Sequence, residues 1–533
     1  MRFLTFGLVV LAACALVPLA LSNGGAWWWG AGAAAALALL GVYDLVQPKH
    51  ALLRNYPIIG HGRYLMEAVR PEIRQYFIED DTDGRPYDRE QRSLIYQRAK
   101  GQSEYDAFGS ELRVGEVGYE WLEHSLAARD LHHARWRVTF GEGTCAQPYS
   151  AALFNISAMS FGSLGPRAIE SLSAGAREGE FWQNTGEGGV SRYHLAGGGD
   201  LVWQLGTGYF GARRADGGFD EARFKVQAAH ERVRMIEVKL SQGAKPGHGG
   251  ILPANKITDV ISEARGVPKG KDCMSPPGHS AFSTPRELVR FVARLREVSG
   301  GKPVGIKLCV GRPVEVLALV KAMHAEGEAP DFITVDGGEG GTGAAPVEFA
   351  DHMGTPLREG LVLVRDALVG AGLRDRVRLV ASAKVVTAMD IARLIALGAD
   401  TCNAARSFMI ALGCIQAQVC HTNECPAGVA TLDPSRNRAI HVPTKSERVR
   451  RFQAKTLDAL AEIVGATGLS HPHELTPDRF LRRTGLDDVR SLAELHPPVA
   501  RGALLDGHAP ERLQHLWDQA DPDAFAPRGH VER

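Results

Sequence analysis

The sequence predicts an α/β protein: a (β/α)8 TIM barrel with an N-terminal transmembrane helical hairpin and helical flanking segments. Two uncharged apolar runs open the chain, short apolar strands alternate with helix-period segments through its middle, and a charged stretch of interleaved Leu and Arg closes it. These observations divide it into a hairpin (1–48), a lead-in segment packing on the barrel (49–145), the barrel with a cysteine-bearing loop (146–435) and a helical extension (436–533).

Residues 3–21 carry no charge and approach the roughly 20 residues that cross a bilayer. Ser22, Asn23, Gly24 and Gly25 break the run. A second uncharged stretch extends from Ala26 to Tyr43, with Trp27, Trp28 and Trp29 at its start, where an aromatic belt lies. Arg2 before the first run also fits a cleaved signal peptide. Against that, a second span follows at once and Lys49, Arg54 and Arg63 lie beyond it. Two spans return the chain to its starting side, which the positive-inside rule makes cytoplasmic. The expected location is the cytoplasmic membrane, with the catalytic part facing the cytoplasm.

In the lead-in segment, residues 79–86 read as a surface loop between short helices. Candidate barrel strands are Ala152–Ile156, Arg234–Val238, Val304–Leu308, Phe332–Val335, Val377–Ala381 and Thr401–Ala404, with helical stretches at Thr284–Val298, Pro313–Ala325 and Ala388–Leu397. About 280 residues of such alternation suit a closed barrel better than a small doubly wound sheet, and no GxGxxG opens a helix after the first strand. Functional residues then belong at the carboxyl ends of the strands.

Lys plus Arg and Asp plus Glu are equal at 61 each, so charge gives no reason to expect a nucleic-acid partner. The 60 glycines are about 11% of the chain against about 7% typically, and they cluster between 162 and 343. Such clustering marks backbone that approaches a ligand closely or turns at positive φ. Of eight cysteines, five are scattered, but Cys414, Cys420 and Cys425 lie close together. In so long a chain they read as metal-binding or catalytic rather than as disulfide partners. Thiolates are soft anionic donors suited to iron. Zinc with His421 as a fourth ligand is the alternative, although the spacing differs from the usual Cys-x2-Cys.

An ordered set of motifs lies between residues 145 and 435. It runs from Ser157-Ala158-Met159-Ser160-Phe161-Gly162 to Asn184-Thr185-Gly186-Glu187-Gly188-Gly189, then Lys239-Leu240-Ser241-Gln242-Gly243-Ala244-Lys245-Pro246-Gly247 and Ser275-Pro276-Pro277. Asp336-Gly337-Gly338-Glu339-Gly340-Gly341-Thr342-Gly343 follows, and Cys414-x5-Cys420-His421-x3-Cys425-Pro426 closes it. On these motifs the chain resembles the FMN-binding domain of glutamate synthases and the shorter membrane-anchored proteins related to them.

The resemblance implies a 3Fe–4S cluster on Cys414, Cys420 and Cys425, and an FMN beside it. TIM barrels usually hold a cofactor phosphate on the loops after the seventh and eighth strands. Here those are Ser382-Ala383-Lys384, where the family usually shows glycines, and Asn403-Ala404-Ala405-Arg406. Arg406 has the fork geometry for phosphate, and Lys384 is the cation of the other loop. Met159 and Ser160 are implied against the isoalloxazine, and Asn184 and Glu187 near flavin and substrate. Gly337, Gly338, Gly340 and Gly341 let backbone approach the cofactor. Lys307 ends an apolar strand where an unpartnered charge is costly; it is assigned to the flavin N1–C2=O edge, stabilising the reduced flavin. Glu187 and Lys307 are the expected catalytic residues.

The same resemblance implies that Lys239, Gln242 and Lys245 bind 2-oxoglutarate, and that the imine formed with ammonia is reduced to glutamate. Where glutamate synthases continue Gly-Glu-Gly-Gly-Gln, this chain has Gly247-His248-Gly249-Gly250-Ile251. Losing an amide donor beside a substrate carboxylate costs about 1–3 kcal/mol if unreplaced, which leaves room for a different small 2-oxo acid or imine. A third reading, an electron-relay subunit of a membrane complex, is disfavoured by the retained Glu187, Lys239, Gln242 and Lys245. The large glutamate synthases begin on a catalytic cysteine, whereas this chain begins with Met1 and an apolar span. Ammonia is therefore expected free or from a partner, and electrons from ferredoxin, a reductase subunit or membrane quinol.

Overall fold

Two helices of 20 residues open the chain, α1 (Leu4–Asn23) and α2 (Trp27–Val46), each long and apolar enough to cross a membrane. Gly24 and Gly25, both at positive φ, make the turn between them. Their facing sides are small: Ala20, Ala31 and Ala34 are buried, and a Cβ on Gly41 would collide with the Phe6 ring. Leu8, Leu11, Leu21, Trp29 and Leu39 point the other way and are exposed. α2 runs past Tyr43 and takes in Asp44, which is buried. The Asp44 carboxylate accepts from the Ile58 N–H at 2.9 Å and meets His61 Nε2 at 2.9 Å. The structure, a computed structural model, describes residues 3–528 apart from 106, 133 and 253.

The chain divides into two units, Met1–Glu90 and Gln91–Arg533, so the boundary falls inside the segment 49–145. The second unit is built on eight parallel strands: β1 (Phe154–Ile156), β2 (Trp182–Asn184), β3 (Asp200–Leu205), β4 (Val233–Lys239), β5 (Val304–Cys309), β6 (Phe332–Asp336), β7 (Arg378–Ser382) and β8 (Thr401–Ala404). They pair in chain order and β8 pairs with β1, which closes the barrel. All six candidate strands are present. β2 and β3 were not foreseen: β2 is three residues long, and β3 carries the polar Gln204 within an apolar run.

An antiparallel hairpin, Arg137–Phe140 with Tyr149–Ala152, precedes the barrel. Phe140 packs edge-on against Trp182 and Phe332, the first residues of β2 and β6, at 5.4 and 5.5 Å. The amino-terminal end of the barrel is thereby filled with aromatic rings, and the carboxyl ends of the strands remain for chemistry. Outside the barrel, α3 (Pro166–Glu178) lies against α4 (Val442–Ala466), so closely that a Cβ on Gly175 would lie 2.6 Å from Val449. The extension after 436 is not wholly helical. Phe480–Arg483 and Val489–Ser491 pair with each other, and Phe480–Arg483 pairs with Glu120–Leu122, in strands too short to leave a period in the sequence.

Candidate active site

Alternation along β4 turns Met235, Glu237 and Lys239 to one face. Glu237 is buried and accepts hydrogen bonds from Asn184 Nδ2 at 2.8 Å, Gln204 Nε2 at 2.6 Å and Thr334 Oγ1 at 2.6 Å. Donors from β2, β3 and β6 can meet one carboxylate only across the barrel interior, so this face points inward. Three donors satisfy a charge that would otherwise be costly to bury. Asn184 is fixed from both sides, since its Oδ1 accepts from the Gly186 N–H at 3.0 Å.

One turn further out, Lys239 Nζ lies 3.0 Å from Glu187 Oε2 and donates to Gln242 Oε1 at 2.5 Å. Glu187 sits on the tight turn Gly186–Gly188 after β2. Burial alone would raise its carboxyl, yet Lys239 and Lys245 outweigh that and hold it down at about 2. Burial lowers the Lys245 ammonium, against the pull of Glu187. These residues line one cleft together with His248 and Pro277. The His248 ring stands edge-on to Phe349 at 5.6 Å. Beneath the cleft, His279 Nε2 lies 2.8 Å from the Lys239 carbonyl, which can only accept, so Nδ1 accepts from Tyr209 Oη at 3.0 Å. Burial lowers the His279 pKa, in keeping with a neutral ring.

Lys307 is buried on β5 and its Nζ lies 3.2 Å from Asp336 Oδ2 at the end of β6. Burial opposes the Lys307 charge, but Asp336 and then Glu237 outweigh it and its pKa rises. The same Asp336 oxygen accepts from the Gly243 N–H at 3.2 Å, which ties the Lys239–Lys245 turn to the glycine loop. At Gly337, Gly338, Gly340 and Gly341 the space of a Cβ is held by Glu339, the Gly354 carbonyl, Asp336 and Arg406, so the loop packs tightly on its own protein. Arg406 Nη2 donates to the Glu339 carbonyl at 2.7 Å and joins the ends of β6 and β8. Lys384 follows β7 at a φ of 50°. Met159 is buried after β1, and Ser160 Oγ lies 2.9 Å from Ser163 Oγ. Between β1, β7 and β8, Ser157 Oγ and Ser382 Oγ meet at 2.9 Å, while Asn403 Oδ1 is buried with no partner among the described residues. These strand ends suit a polar cofactor that would complete them.

The cysteine loop follows β8 and the short helix Arg406–Leu412. Gln416, Gln418 and Asn423 take φ values of 58°, 58° and 69°, a conformation disfavoured for residues with side chains. Tyr96 Oη donates to the Cys414 carbonyl at 2.6 Å, and the Gln416 N–H points at Cys414 Sγ at 3.4 Å. Burial pushes the Cys414 thiol up to about 12 and raises Cys420, with Cys425 adding to both. The three thiols therefore share one field. Among the described residues, however, no three His, Cys, Asp or Glu side chains converge as a single metal ion would require. A cluster asks for less convergence, because each thiolate takes its own iron. His421 is exposed.

Residues 131–470 match the family model described as the conserved region in glutamate synthase. The chain belongs to the glutamate synthase family. It is 38% identical over 486 residues to the glutamate synthase large subunit-like protein YerD of Bacillus subtilis, covering 84% of this chain and 92% of that one. It is 32% identical over 334 residues to the archaeal-type glutamate synthase [NADPH] of Thermotoga maritima, covering 62% of each. Against the large chain of Bacillus subtilis glutamate synthase [NADPH], also at 32% identity, it spans 21% of that protein. A mandelate oxidase structure superposes with a TM-score of 0.40 at 14% identity, over 75% of this chain and 89% of that one.

The glutamate synthase match spans the barrel, the cleft and the cysteine loop, and it ends inside the extension. Sequence reasoning missed Glu237, Asp336, His279 and Tyr209. Glu237 and Asp336 left a signal, Glu237 as a carboxylate set among Met235, Ile236 and Val238, and Asp336 as the carboxylate that closes the run Phe332–Val335. His279 and Tyr209 left none, since nothing local marks a side chain that props up another strand's carbonyl.

Proposed function

We propose that this glutamate synthase family member is a membrane-anchored oxidoreductase dependent on FMN and a 3Fe–4S cluster. It reduces the imine formed from 2-oxoglutarate or a similar 2-oxo acid and ammonia to the amino acid. The Glu187–Lys239–Gln242–Lys245 cluster carries the reading. Two lysines facing one glutamate leave a unit of positive charge in the cleft, and a carboxylate substrate supplies the missing anion. Lys239 and Lys245 bind the acid, Gln242 orients Lys239, and Glu187, ionised at neutral pH, accepts from the ammonia-derived nitrogen. FMN, when bound, would supply the two-electron reduction of the imine carbon, and the cluster would supply electrons. Met159, Ser160, Asn184, Lys307, Lys384, Arg406 and the glycines 337, 338, 340 and 341 would hold the flavin. Lys307, its proton secured by Asp336, serves its polar edge as a donor. Cys414, Cys420 and Cys425 would hold the cluster.

The hairpin is the anchor. Large apolar side chains outward and small ones between helices suit packing in lipid, whereas a water-soluble helix pair buries its large residues. Lys49, Arg54 and Arg63 beyond α2 support a cytoplasmic side for the following chain, where ferredoxin or a reductase subunit would deliver electrons. His248 in the cleft favours one variation, a different small 2-oxo acid as substrate. Anaerobic photoreduction followed by 2-oxoglutarate and ammonium separates the readings. Flavin reoxidation with formation of glutamate is expected. A flavin that stays reduced refutes the assignment, and reoxidation by another 2-oxo acid with ammonium moves it to the variation.

A further inference from the structure

After β4 the chain makes a long excursion before the helix Pro285–Val298, and the Lys239–Lys245 turn opens it. Within it, Ala254–Lys256 forms a tight turn that reaches the cysteine loop. Lys256 is 4% exposed, and its Nζ donates to the Cys420 carbonyl at 3.0 Å. No carboxylate forms a salt bridge with it among the described residues. A buried ammonium whose hydrogen-bond partner is a neutral carbonyl is expensive, because one carbonyl returns little of the hydration it gave up. The sequence nonetheless places a lysine there. The cost is offset if the neighbouring thiols are thiolates bound to iron, since such a cluster carries net negative charge and gains another unit on reduction.

We infer that Lys256 is a charge-positioning residue that sets the reduction potential of the cluster on Cys414, Cys420 and Cys425. The inference rests on the cluster reading above. A fixed cation stabilises the more negative of two redox states, and low surrounding polarity strengthens that preference. Lys256 therefore raises the potential and makes the cluster an easier electron acceptor. Its place on the excursion that also carries Lys239 and Lys245 links the substrate cleft to the cluster loop through one side chain.

The test is an anaerobic redox titration of the solubilised full-length protein, followed by the cluster's EPR signal, with iron counted in each sample. Lys256→Gln keeps a donor for the Cys420 carbonyl and removes the charge, whereas Lys256→Arg keeps both. At a fixed ambient potential the oxidised-to-reduced ratio is expected to rise at least tenfold in Lys256→Gln, about 59 mV for a one-electron couple. Lys256→Arg is expected to stay close to the parent protein. An unmoved potential in Lys256→Gln, with iron retained, overturns the inference. So does iron lost from Lys256→Gln but kept in Lys256→Arg, because that result makes Lys256 a structural prop. Absence of iron from the parent protein refutes the cluster reading itself, and the inference falls with it.

Discussion

At the mouth above β4, Glu187, Lys239 and Gln242 are joined at 3.0 and 2.5 Å, with Lys245 in the same cleft. In the loop after β8, three thiols share one electrostatic field without converging on a point. The difference lies in charge. Glu187 and the two lysines are ions of opposite sign that hold one another, and the neutral Gln242 amide accepts from Lys239. Burial keeps Cys414 and Cys420 protonated and neutral, so no charge draws them together, and the proposed cluster would displace their protons. One region is organised by its own charges, and in the proposed function the other would be completed by iron.

The largest effect that would sharpen this contrast belongs to Lys239. Removing it strands Glu187 and frees Gln242. In the proposed function, losing the cation that pairs with the substrate carboxylate costs about 2–5 kcal/mol of binding, equivalent to roughly one and a half to three and a half decades in kcat/KM at about 1.4 kcal/mol per decade. Lys239→Ala is therefore expected to lose that much turnover while keeping its flavin absorbance. Unchanged turnover with the flavin bound would show that the closed cluster is not the substrate site.

Cys420→Ala probes the open region. Iron is expected to fall to background. The variant, in contrast, should melt within about 2 °C of the metal-free parent, because no closed network is broken and about 1 kcal/mol shifts a chain of this size by only a few degrees. Iron retained in full would remove Cys420 from the ligand set. A large drop in the metal-free melting temperature would mean that the loop is already organised without metal.

The same contrast governs what could be read from the sequence. Six barrel strands showed as apolar runs, and the Lys239–Lys245 turn showed as a motif, because each is local. β2 was hidden by its three residues, and β3 by Gln204, a polar side chain the barrel turns inward to Glu237. The Glu237 network joins β2, β3, β4 and β6 through side chains far apart in sequence. Lys256 reaches a carbonyl 164 residues away. Spacing reports what neighbours do, whereas the barrel interior depends on which strands face one another.

A last measurement tests whether the cleft cluster stabilises the protein as well as serving as the proposed substrate site. Glu187 is held at about 2 against an ordinary 4.5. A carboxylate depressed by folding contributes stability that is fully present above its ordinary value and lost as pH falls toward the folded value. The shift corresponds to on the order of 3 kcal/mol. Glu187→Gln removes that contribution and leaves Lys239 and Lys245 facing each other. Urea unfolding of parent and variant should therefore differ most above pH 4.5, and the gap should narrow as pH falls toward about 2. A gap that stays constant with pH would mean that the glutamate contributes through packing alone, and that the cleft is no more closed by charge than the cysteine loop is.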